Sequence, residues 1–95
     1  MTRSENIVPP RYSKEEFARR GDEIYESRVR PHLSQTDEGK FVVIDIETGD
    51  YETDTDEMAA YDRLVALHPE AQVWVTQAGS RYARRFGPRH RALVA

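Results

Sequence analysis

The stretch FVVIDIETGDYETD, residues 41–54, constrains this chain more than any other. β-branched residues alternate with acids, and Gly49 supplies a turn, a pattern that predicts a β-hairpin. A two-residue loop at Thr48-Gly49 or at Gly49-Asp50 gives the same parity of pairing. Either loop puts Val42, Ile44, Ile46, Tyr51 and Thr53 on one face. Asp45, Glu47, Glu52 and Asp54 fall on the other. Like charges facing each other across strands repel, so the second face is expected to be wet, paired or metal-bound rather than dry.

The remaining segments fit around that ribbon. Ser13 followed by Glu16 is a capping box, which predicts a helix start. Phe17, Gly21, Ile24, Tyr25 and Val29 then recur at helical spacing until Pro31 ends the pattern. Asp54 with Glu57 marks a second helix start, and Met58, Tyr61, Leu64, Val65 and His68 form its stripe before Pro69. The stretch AQVWVTQAGSRYARRF, residues 71–86, predicts a second hairpin turning at Gly79. Val73, Val75, Tyr82 and Phe86 share one face of it, opposite Trp74, Thr76, Arg81, Ala83 and Arg85. The expected class is α+β, in the order helix, hairpin, helix, hairpin. Its sheet is four-stranded and mainly antiparallel, with helices on one face. The open face would carry the acids of the first hairpin and the Trp-Arg set of the second.

Residues 1–12, with Pro9-Pro10, read as a flexible leader, 13–87 as a single domain and 88–95 as a basic flexible tail. A 95-residue chain buries roughly two-thirds or less of its unfolded surface, so a partner or self-association would add useful stability. The absence of Cys excludes disulfide scaffolds and thiol chemistry. No apolar run approaches the ~18 residues of a membrane span, and MTRSENIVPP has no signal-peptide core, so no membrane association and a cytoplasmic location are expected. Net charge is only −3, but the charge is segregated. Asp45 to Asp62 holds eight acids and no Lys or Arg, whereas Arg81 to Arg91 holds five Arg and no acid.

Catalytic readings fare poorly. An apolar strand ending in Asp45-Ile46-Glu47-Thr48 resembles the first motif of the DEDD 3′–5′ exonucleases, in which the Asp and Glu hold metal ions. HRALVA, residues 90–95, is similar to the start of that family's final His motif. The family pattern places a further Asp five residues after the His, where this chain has Ala95, and a second Thr where it has Gly49. Two-metal chemistry needs several convergent carboxylates, so a metal-dependent nuclease is a distant alternative. ETG, residues 47–49, departs from the Asp-Thr-Gly of aspartic proteases at its first residue. Read as an EF-hand loop from Asp50, the chain has Thr55 where Gly is needed and Tyr61 where a bidentate Glu is needed. His32, His68 and His90 have neither an i, i+4 His nor a Cys for zinc. No catalytic residue, metal or cofactor is therefore expected.

Arg81, Arg84, Arg85, Arg89 and Arg91, interleaved with Tyr82 and Phe86, suit three roles. They can pair with the acids of this chain, anchor a protein interface together with Trp74, or contact nucleic-acid phosphates while the aromatics stack on bases.

YSKEEFARRGDEIYE, GKFVVIDIETGDYE and RLVALHPEAQVWVTQAGSRYARRFG together resemble a group of small bacterial and cyanobacterial antitoxin-like proteins. The resemblance runs from about Tyr12 to Gly87 and is sharpest over Gly39–Tyr51 and His68–Gly87. Members look like one half of two-gene modules, often beside a retropepsin-like aspartic protease. What this implies is a non-enzymatic interaction module that binds and restrains a co-expressed protein. Trp74, Arg81, Arg84 and Arg85 are the expected partner-binding residues, with Asp45, Glu47, Glu52 and Asp54 as a second, acidic surface. A nucleic-acid-binding regulator is the alternative.

Overall fold

A computed structural model describes residues 10–79 and the backbone of residues 88–89. Ser13 opens α1, Lys14–Ile24, by accepting the Glu16 N–H at 3.1 Å. Glu16 turns its own carboxylate to Arg19 and Arg20, at 2.6 and 2.7 Å. The helical path continues through a wide π turn, Tyr25–Val29, and a tight 3-10 turn, Arg30–His32. Pro31 offers no N–H, and the path stops at the residue after it.

Three strands form an antiparallel sheet in the order β2-β1-β3: β1 is Phe41–Asp45, β2 is Tyr51–Asp54 and β3 is Val73–Gln77. On the far side of β3, the backbones of Pro88 and Arg89 pair antiparallel with Trp74 and Val73. The rest of the expected return strand, residues 80–86, lies outside the described residues. β1 and β2 pair Ile44 with Tyr51 and Val42 with Thr53, the expected parity. Their connection is longer than two residues. Asp45 closes it, donating its N–H to Asp50 and accepting from Gly49 N–H, at 2.9 and 2.8 Å.

The expectation of helices on one face is overturned. Val42, Ile44, Ile46 and Trp74 pack with Phe17, Tyr25 and Val29 on the α1 side. Val43, Val73 and Val75 pack with Ala60, Tyr61 and Leu64 on the other side, under α2, Glu57–Leu67. The cause is the β1–β3 register. Ile44 pairs with Trp74 and Val43 with Val75, so the Trp face of β3 continues the isoleucine face of β1. A shift of one residue would exchange the faces, and the opposite combination was the one expected. Val42, Val43 and Ile44 are all fully buried. That makes β1 a central strand dry on both sides, which reads in sequence as a continuous apolar run rather than an alternation.

Gly21 explains how α1 approaches so closely. A Cβ there would collide with Cε3 and Cδ2 of the Trp74 ring. The glycine costs helix propensity of about 1 kcal/mol, and the notch it leaves admits the largest side chain of the core.

Candidate functional site

The acids of the β1–β2 ribbon do not form one surface. Asp45 sits at the end of β1 with 1% of its surface exposed. Its Oδ1 accepts from the Glu47 and Gln72 N–H groups at 3.1 and 3.0 Å, and its Oδ2 from the Thr48 hydroxyl at 2.8 Å. These donors tie the turn after β1 to the chain entering β3. Ile46 N–H completes the tie by donating to Gln72 O at 2.9 Å.

Glu47, two residues on, faces a different neighbourhood. It accepts from the Tyr12 hydroxyl at 3.0 Å and lies 3.5 Å from the Arg11 guanidinium. Arg11 N–H donates to Gln72 Oε1 at 2.8 Å, Tyr12 meets Phe17 edge-on, and Arg20 lies 4.4 Å over the Tyr12 ring. Residues 11 and 12, assigned from sequence to a flexible leader, thus make specific contacts across the sheet end. The two carboxylates of the nuclease-like motif line one cleft but take separate partners.

Glu52 and Asp54 lie on the α2 side of β2, at the free edge of the sheet, with side chains 27% and 29% exposed. One residue of α2 answers both. Arg63 donates to Glu52 at 2.9 Å, to Asp54 at 3.1 Å and to the Thr53 carbonyl at 2.9 Å. The Asp56 N–H at 2.8 Å, and then Arg63, hold the Asp54 carboxyl below its ordinary value. Asp54 is not the helix cap that the spacing to Glu57 predicts. Asp56 takes that role, accepting from Met58 N–H at 3.1 Å. Arg63 was missed from sequence, although it is the first base after eight acids. His68 closes α2 with its N–H on Leu64 O, while its ring meets Asp50 at 2.6 Å.

Trp74, expected on an exposed Trp-Arg platform, is only 2% exposed and belongs to the α1-side core. Its indole N–H has no acceptor among the described residues. Arg81, Arg84, Arg85 and Arg91 lie outside the described residues, and Arg89 is placed by its backbone alone. What the topology adds is the place of Arg89 in the sheet. Acidic β2 forms one edge of the sheet, and Arg89 pairs at the opposite side. Three inter-strand spacings, roughly 14 Å, separate the two.

Two open clefts formed by the described residues accompany this arrangement. One, of about 370 Å³, includes Arg11, Glu47, His68 and Glu70 in its walls. The other, of about 460 Å³, lies between Tyr25, Leu33, Asp37 and Gly79. Among the described residues, no group of three His, Cys, Asp or Glu is arranged to hold a metal ion. No helix among them is long and apolar enough to cross a membrane. Comparison with protein-family models, curated proteins and solved structures yields no match.

Proposed function

We propose that this chain is a non-enzymatic interaction module, the antitoxin-like member of a two-gene pair, that binds and restrains a co-expressed protein. The observation that carries the reading is charge segregation within the fold. The acids of β2 are met by Arg63 at one edge, while Arg89, from the arginine-rich stretch of the sequence, pairs at the opposite side of the sheet. That separation supports a role for the arginines outside the molecule. Asp45 is buried and occupied by the turn it organises, and Glu47 by Arg11 and Tyr12. Both features favour binding over metal-dependent nuclease chemistry.

Trp74 leaves the list of contact residues because it packs inside. The partner site is accordingly the arginine-rich segment, with Glu52 and Asp54 as a second, charged surface. Co-expression with the product of the neighbouring gene tests the reading. A complex should be retained at about micromolar concentration and lost in the Arg84→Glu/Arg85→Glu variant. Retention by that variant, or no complex at all, would sink the idea.

One observation favours a second reading, nucleic-acid binding by the same arginines. The acids that would repel a polyanion lie at the far edge and are met by Arg63. Affinity for duplex or single-stranded nucleic acid should then fall steeply with added salt. Weak retention that is indifferent to salt would dismiss this reading.

A further inference from the structure

The unpaired backbone groups of a sheet edge can take up a strand of another molecule. Among the described residues, β2 forms such an edge. Asp45 N–H bonds Asp50 O, so Asp50, Glu52 and Asp54 turn their backbone groups toward β1. Tyr51 and Thr53 therefore turn theirs outward. A second copy presents the same edge, and a two-fold antiparallel pairing would set Tyr51 against Thr53 of the other copy. Each of those pairs would exchange N–H···O bonds in both directions.

Arg63 stands in the way. It donates to the Thr53 carbonyl at 2.9 Å, so the acceptor that Tyr51 of a second copy needs is already occupied. Its bonds to Glu52 and Asp54, at 2.9 and 3.1 Å, fix the guanidinium there from both sides of Thr53. The Arg63 side chain is 47% exposed, and ion pairs so open to water contribute little stability. The bond to the backbone is the more consequential one. Those carboxylates add a second obstacle. In that register Glu52 faces Glu52 of the other copy, and Asp54 faces Asp50. One guanidinium against two carboxylates leaves each edge net negative, so the copies repel.

We propose that Arg63 guards the β2 edge. By capping the Thr53 carbonyl, while Glu52 and Asp54 repel their own kind, it keeps β2 from pairing with β2 of a second copy. This inference does not rest on the proposed partner and is tested on the isolated protein.

The test is a variant series in sedimentation velocity over about a hundredfold concentration range. Arg63→Ala with Glu52→Gln and Asp54→Asn opens the acceptor and removes the like charges together. This triple variant should self-associate at least about tenfold more tightly than the wild type. Arg63→Ala alone opens the acceptor but bares the acids, so it should associate only as added salt screens them. It carries the test in high salt should the triple variant unfold. Adding Thr53→Pro removes an outward N–H that β1 does not use, at a position where edge strands tolerate proline. Association should then return to the wild-type level. Amide hydrogen exchange reads the same surface without that proline, and Tyr51 and Thr53 should gain protection as the associating variant is concentrated. Variants no more associated than the wild type would overturn the proposal. So would Arg63→Ala matching the triple variant at low salt, association that survives Thr53→Pro in a folded protein, or association that leaves the Tyr51 and Thr53 amides unprotected.

Discussion

Asp45 and the Glu52–Asp54 pair sit in the same short ribbon, yet the fold treats them oppositely. Asp45 is buried without a cation among the described residues, and its carboxylate accepts from two backbone N–H groups and a hydroxyl. Glu52 and Asp54 are partly exposed and share one guanidinium from another element. Low surrounding dielectric makes the first arrangement strong and intolerant of change. Solvent and salt make the second weak and adjustable. An acidic residue in this ribbon is therefore structural at its closed end and available for recognition at its open edge.

The hardest test of that contrast is Asp45→Ala. It strands one buried donor, the Gln72 N–H, at about 1–3 kcal/mol, and two part-buried ones, the Glu47 N–H and the Thr48 hydroxyl, at less. We expect a loss of at least about 2 kcal/mol in urea unfolding, nearly independent of salt. A loss under about 1 kcal/mol would break the comparison. Asp45→Asn keeps one oxygen for the two N–H groups and lets its amide donate to Thr48. Unfolding should then cost about 1–2 kcal/mol, the difference between charged and neutral acceptors.

Arg63→Ala should destabilise less than either change at Asp45. Its cost should shrink as salt is added, read from melting temperature in a salt series. Adding Glu52→Gln and Asp54→Asn to Arg63→Ala should recover part of the loss, because two carboxylates left without a cation repel one another. Further loss on adding them would show that the pair does not interact through Arg63.

The smallest effect is acid sensitivity. Asp54 is held below the ordinary carboxylate value of 3.8, first by the Asp56 N–H and then by Arg63. Its contribution is therefore present above that value and is lost as pH falls through the lower, folded value. Glu16, pulled down to about 2 by Arg19 and then Arg20, acts in the same sense on α1. The informative comparison is thus wild type against Asp54→Asn. The variant should show a shallower stability loss below pH 3.8, and identical slopes would remove Asp54 from the account.

Much of the local structure was legible in the chain, and its limits are instructive. Ser13 as helix cap, Pro31 as terminator and the parity of β1 against β2 are consequences of near neighbours. Val43 was the overlooked clue. Set between Val42 and Ile44, it breaks the alternation and marks a strand covered on both sides. The helix cap was placed at Asp54 instead of Asp56 because both satisfy the same local chemistry. Asp54 was diverted by Arg63, nine residues on.

The burial of Trp74 and Asp45 and the answer to the edge acids had no local signal. They depend on which residue of β3 faces which residue of β1, and on which side each helix lands. The order of residues determined the elements, their parity and the separation of charge, since these follow from spacing and backbone sterics. Only the tertiary structure decided which polar groups are inside, because burial is a property of several segments meeting, and one register step between strands exchanges every face.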